Sequence, residues 1–81
     1  MNTTIRLRIR KELDPAIEKK IIRFKGGLIA RNFTDIIYFD EDQEDFYMHY
    51  FTVETSRKKE VTDYITQYLN ENTLGENVIL M

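Results

Sequence analysis

Cysteine and tryptophan are absent from this sequence, proline occurs once, and serine and histidine occur once each, at Ser56 and His49. Without cysteine there is no disulfide framework and no thiolate metal site. One imidazole and one serine leave no material for a multi-histidine zinc site or a Ser-His-Asp triad. Glycine is scarce too, with three residues, and Gly26-Gly27 follows a helical stretch instead of opening one. That is the wrong order for a loop that cradles phosphate. No apolar run approaches the roughly 20 residues of a membrane span. Met1 to Arg6 holds no apolar leader core, so a cytoplasmic location without membrane attachment is expected.

What is present is ordinary for a globular chain. Residues 1–81 weigh 9.8 kDa, which makes one domain with a small core. Hydrophobic residues make up 42% and charged residues 32%, a balance that excludes intrinsic disorder. Twelve Lys and Arg face 14 Asp and Glu, for a net charge of -2. Such a balance argues against a dedicated duplex-DNA coat and against a polybasic membrane anchor.

Thr4 to Arg10 alternates strictly, with Ile5, Leu7 and Ile9 on one face and Arg6, Arg8 and Arg10 on the other. That is the period of a half-buried strand. Asp14 can cap a helix that opens at Pro15. Ile17, Ile21 and Phe24 then share one helical face. Lys19, Lys20, Arg23 and Lys25 suit the C-terminal half of that helix, and Gly26-Gly27 is its expected stop. Leu28 to Asn32 is either a loop or the beginning of the strand that Ile36 to Phe39 forms. Asp40 to Asp45, with five carboxylates in six residues, reads as a turn. Phe46 to Glu54 is a β-prone aromatic run, and the two strands form a hairpin. Thr55 or Ser56 is placed to cap a second helix with the stripe Val61, Tyr64, Ile65, Tyr68 and Leu69. Asn70 to Asn77 is a polar connection. Val78 to Met81 is either a closing edge strand or an apolar tail that adds to a partner's sheet.

The order β-α-β-β-α-β specifies an α+β fold. Split βαβ units pack as a four-stranded antiparallel sheet with both helices on one face. Right-handed crossovers give the strand order 4-1-3-2, the ferredoxin-like sandwich. In that fold the acidic turn, Glu12 and Asp14 share one end. Arg23, Lys25, Arg57, Lys58 and Lys59 share the other, so the molecule is expected to be electrically bipolar. Arg57-Lys58-Lys59 at a helix N-terminus opposes the helix dipole. Those three cations, with the free N–H groups beside them, are a candidate anion site. The acidic turn lacks the spacing of a calcium loop: Asp45 stands where glycine is needed and Phe51 where glutamate is needed.

The sheet face without helices is the candidate binding surface. Alternation puts Arg6, Arg8 and Arg10 there from the first strand, and Ile36 and Tyr38 from the second. Met48, Tyr50 and Thr52 join them from the third. Ile37, Phe39, Phe51 and Val53 are expected in the core. Arginine, tyrosine and methionine are enriched at protein interfaces. They also stack on and neutralise single-stranded nucleic acid. The strand signature of an RNA-recognition motif is not met, because Phe46 and Tyr47 stand in place of a basic residue and glycine, and Met48 replaces the first stacking aromatic.

These readings point to a small interaction module without catalytic residues, metal or cofactor. It is expected to dock a protein partner, or a second copy of itself as a homodimer, through Arg6, Arg8, Arg10, Tyr38, Met48 and Tyr50. The competing reading is single-stranded nucleic-acid binding by the same face with Arg57, Lys58 and Lys59.

Overall fold

Alternating burial makes the first strand, β1 (Asn2–Arg10), the centre of the sheet in the computed structural model, which describes residues 1–81. Ile5, Leu7 and Ile9 are almost wholly buried. The strand begins two residues earlier than its hydrophobic alternation implies, because Asn2 and Thr3 pair with Glu54 and Val53. Helix α1 (Pro15–Ala30) follows, then β2 (Tyr38–Gln43) and β3 (Phe46–Glu54). A single 3-10 turn at Thr55–Arg57 leads into α2 (Lys58–Glu71), and β4 (Val78–Leu80) closes the sheet. The strand order is β2-β3-β1-β4 with every pairing antiparallel, so the α+β ferredoxin-like arrangement holds. Val78–Leu80 is an edge strand paired with β1, not a free tail.

The core lies between the sheet and the two helices. Phe51 and Val53 meet Ile21, Phe24 and Leu28 of α1 and Val61, Ile65 and Leu69 of α2. The helix stripes supply one side of this layer and the alternate strand residues the other.

Four local expectations need correction. First, α1 does not stop at Gly26-Gly27 but runs to Ala30. Gly27 is there for close approach, since a Cβ at that position would run into the Tyr64 hydroxyl of α2. Lys19, Lys20, Arg23 and Lys25 therefore sit in mid-helix, and the last turn carries no cation. Second, neither Thr55 nor Ser56 caps α2, which has no side-chain cap. Third, Phe39 does face the helix side, opposite His49, but β2 is the edge strand and Phe39 stays 59% exposed. No helix reaches far enough to cover it. Ile36 precedes the strand and is exposed, and Ile37 packs partly against the core.

Fourth, the acidic run is not a turn: Asp40 to Gln43 continue β2, and only Glu44 and Asp45 form the tip. Neither tip residue has a positive φ, so this is not a left-handed hairpin turn. A right-handed tip splays twisted strands. The register shift between Glu41 and Gln43 absorbs that mismatch, as a bulge does.

Candidate functional site

Three strands build the open face in level rows. Arg6 of β1 pairs with Tyr50 of β3, which pairs with Tyr38 of β2. In the next row stand Arg8, Met48 and Asp40. Arg10 and Phe46 make the third row, and Asp42 lies beside it. The six residues expected to carry the docking contact, Arg6, Arg8, Arg10, Tyr38, Met48 and Tyr50, therefore lie on one face, as the alternation implied. The acidic residues Asp40 and Asp42, read from sequence as turn residues, join them. The face thus carries a cationic stripe on β1, a tyrosine and methionine ridge on β3, and an acidic stripe on β2.

The side chains connect across the ridge. Arg8 Nε donates to Asp42 Oδ2 at 2.6 Å, and both side chains are largely covered. The Tyr50 hydroxyl donates to Asp40 Oδ2 at 3.1 Å, which raises the phenol above its ordinary pKa and keeps it protonated. The Tyr38 and Tyr50 rings stack with centroids 5.5 Å apart. The guanidinium groups of Arg8 and Arg10 lie over the Phe46 ring at 5.8 and 5.2 Å. Arg10 Nε also donates to the Glu76 carbonyl at 3.1 Å. Arg6 is exposed and takes part in none of the four ion pairs. It is the unengaged cation of the face.

Phe46, Asp40 and Asp42 belong to this surface, and sequence reasoning missed them. Their signal was the shortness of the hairpin tip. A two-residue turn before Phe46 carries β2 through Gln43, and alternation from Tyr38 then places Asp40 and Asp42 beside the arginines.

The candidate anion site does not come together. Arg57 Nε donates to Glu60 at 3.0 Å, and its Nη1 donates to the Asn32 carbonyl at 3.0 Å. Its guanidinium lies 4.9 Å from the Phe33 ring centroid. Lys59 donates to Asp63 at 2.8 Å, one helical turn on. Lys58 is exposed. Arg57 and Lys59 are thus each engaged by a carboxylate one helical turn on, at i+3 and i+4. At the opposite end Lys11 pairs with Glu41 as Arg8 does with Asp42. Local pairing engages two carboxylates at one end and two cations at the other, while Glu12, Asp14, Glu44 and Asp45 at the first and Arg23, Lys25 and Lys58 at the second take part in no ion pair.

His49 lies on the helix side of β3, away from the open face. The residue is 5% exposed, and its ring stacks on Phe39 at 5.4 Å and meets Tyr47 edge-on. Lys25 Nζ lies 3.5 Å from Nε2. An ammonium can only donate, so Nε2 accepts and Nδ1 carries the proton, buried without a partner. Burial, aided by the Lys25 charge, lowers the His49 pKa to about 4.

A shallow cleft of about 400 Å³ lies between the α1–β2 connection and the start of α2, lined by Asn2, Thr34, Asp35, Tyr38, Glu54 and Arg57 among others. No group of three carboxylate or imidazole side chains converges as a metal site. No helix is long and apolar enough to cross a membrane. Compared with known proteins, the chain matches no protein-family model and no curated protein sequence.

Proposed function

We propose that this protein is a non-catalytic, cytoplasmic interaction module that docks a protein partner through the open face of its sheet. The observation that carries this reading is the acidic stripe of Asp40 and Asp42 on the same face as Arg6, Arg8 and Arg10. Three cations against two carboxylates leave little net attraction for a phosphate backbone, whose binding rests on unopposed cations. A protein surface bearing both signs is a better match, because complementary charge fixes register and the tyrosine–methionine ridge supplies apolar area. The arginines need partners when covered, and the face already holds carboxylates beside them.

The test is an amide ¹H–¹⁵N spectrum titrated with mixed single-stranded RNA and DNA at two salt concentrations. Little or no shift on Arg6–Arg10, Tyr38 and Tyr50 is expected. Salt-sensitive shifts centred on those residues overturn the protein reading in favour of single-stranded nucleic acid.

A further inference from the structure

The stripes have a symmetry of their own. β3 lies midway between β1 and β2, about 4.8 Å from each, so the cationic and acidic stripes flank the ridge at equal distances. The Arg6–Tyr50–Tyr38 and Arg8–Met48–Asp40 rows are level across the three strands, and the register shift displaces only the third. A two-fold axis lying in the interface and running along β3 turns the sheet over, exchanges left for right, and leaves height along the strand unchanged. It lays β1 of one molecule over β2 of another, row on row. A two-fold axis running across the strands does the opposite and sets arginine on arginine.

We infer that the partner for this face is a second copy of the chain, packed face to face about an axis along β3, with Arg8 of each molecule on Asp40 of the other. This rests on the reading of the open face as a protein-docking surface. Met48 and Tyr50 then meet their own counterparts on the axis, as an isologous interface requires. Arg6, unpaired in the single chain, comes over the partner's Tyr38 ring, a favourable position for a guanidinium. Arg8 spends one N–H on Asp42 of its own chain and keeps the rest of its five donors for the partner's Asp40. The Phe46 ring lies within 5.8 Å of the Arg8 guanidinium and 5.2 Å of that of Arg10, a cation–π platform for both. The two longer dimensions of the molecule, 35 and 26 Å, are large enough to supply the roughly 800 Å² per partner of a standard interface. Twist keeps such sheets about 30° from parallel, which moves the outer rows apart and leaves the Arg8–Asp40 row at the centre.

Sedimentation equilibrium of the full chain, from micromolar to millimolar, tests this. The wild-type chain is expected to self-associate. Arg8→Glu and Asp40→Lys should each weaken association by about tenfold or more, since each sets like charges together. The triple variant Arg8→Glu with Asp40→Lys and Asp42→Lys should recover to within about threefold of wild type, because the crossed pairs and the in-chain pair to residue 42 are all restored with reversed sign. Arg6→Glu, which breaks no ion pair in the single chain, should also weaken association, with circular dichroism confirming the fold.

A triple variant no tighter than the single variants overturns the along-strand axis, and so does an unchanged Arg6→Glu. A wild-type chain that stays monomeric overturns the second-copy inference alone; the docking reading of the face then stands or falls on its oligonucleotide titration. A dimer that ignores every substitution, with dilution shifts on Ile36 before β2 and on Tyr38 and Phe39 at its start, overturns both.

Discussion

His49 is held neutral by its position. Its ring is closed in by Phe39 of β2 and Tyr47 of β3, with the Lys25 ammonium arriving from α1. Burial and that cation lower its pKa to about 4, against 6.5 for a free imidazole. Between those two values the unfolded chain binds a proton that the folded chain refuses. Stability contributed by His49 is therefore complete above pH 6.5 and is lost as pH falls toward 4. A shift of this size corresponds to on the order of 3 kcal/mol. Urea unfolding at a series of pH values should show a falling free energy across that window. His49→Phe keeps the stacked ring and removes the titration, so its free energy should stay nearly flat there. An equal slope in the variant would place the pH dependence elsewhere.

Both helices end in the same way. Asn32 follows α1 with φ 60, and Thr73 follows α2 with φ 56. After α1, the Phe33 N–H bonds the Leu28 carbonyl at 3.0 Å and the Asn32 N–H bonds that of Ile29. After α2, the Leu74 N–H bonds the Leu69 carbonyl at 2.9 Å. These are Schellman endings, and the buried Phe33 and Leu74 supply their hydrophobic contacts. Asparagine tolerates the left-handed region, but threonine, branched at Cβ, does so at a cost. Thr73 is exposed and accepts that cost for the sake of its neighbours. Thr73→Gly should stabilise the fold by about 1 kcal/mol, the left-handed penalty less the added freedom of the unfolded chain. Thermal unfolding reads this as a rise in Tm, and a fall would show that the threonine side chain is needed.

The same stops explain what was readable in the sequence at this scale. The stripes of β1 and α2 were legible because each keeps its period without interruption. The end of α1 was not, because Gly26-Gly27 resembles a stop signal while the true stop is a threonine-free, glycine-free Arg31-Asn32. Gly27 answers to the Tyr64 hydroxyl of another helix, a long-range contact that no local pattern carries. The acidic run of β2 misled for a related reason. Local composition marks it as a turn, whereas pairing with β3 draws it into the sheet. Sheet order and the faces of Arg6, Arg8, Arg10, Tyr38, Met48 and Tyr50 were legible, and the carboxylates beside them were not.

At the scale of the whole molecule, charge is distributed in stripes across one face as well as between its two ends. Arg8–Asp42 and Lys11–Glu41 pair two of the carboxylates at the hairpin end, and Arg57–Glu60 and Lys59–Asp63 pair two of the cations at the start of α2. The open face retains one surplus cation, and this fixes how association should respond to salt. Opposite stripes that meet across a dimer attract, and screening weakens that attraction as the Debye length falls toward about 4 Å near 0.5 M salt. The apolar contribution of Met48 and the tyrosines does not weaken with it. Raising NaCl from about 50 to 500 mM should therefore loosen self-association only about threefold. Three arginines on phosphates instead release counterions with a slope near -0.7 per contact, so the same change costs roughly a hundredfold in affinity. Sedimentation at both salt concentrations, beside fluorescence anisotropy with a single-stranded oligonucleotide, measures the two slopes on one preparation. A shallow slope for the dimer with no oligonucleotide binding agrees with paired stripes. A steep loss of oligonucleotide binding shows that the arginines act alone, with the acidic stripe too far from the bound strand to oppose it.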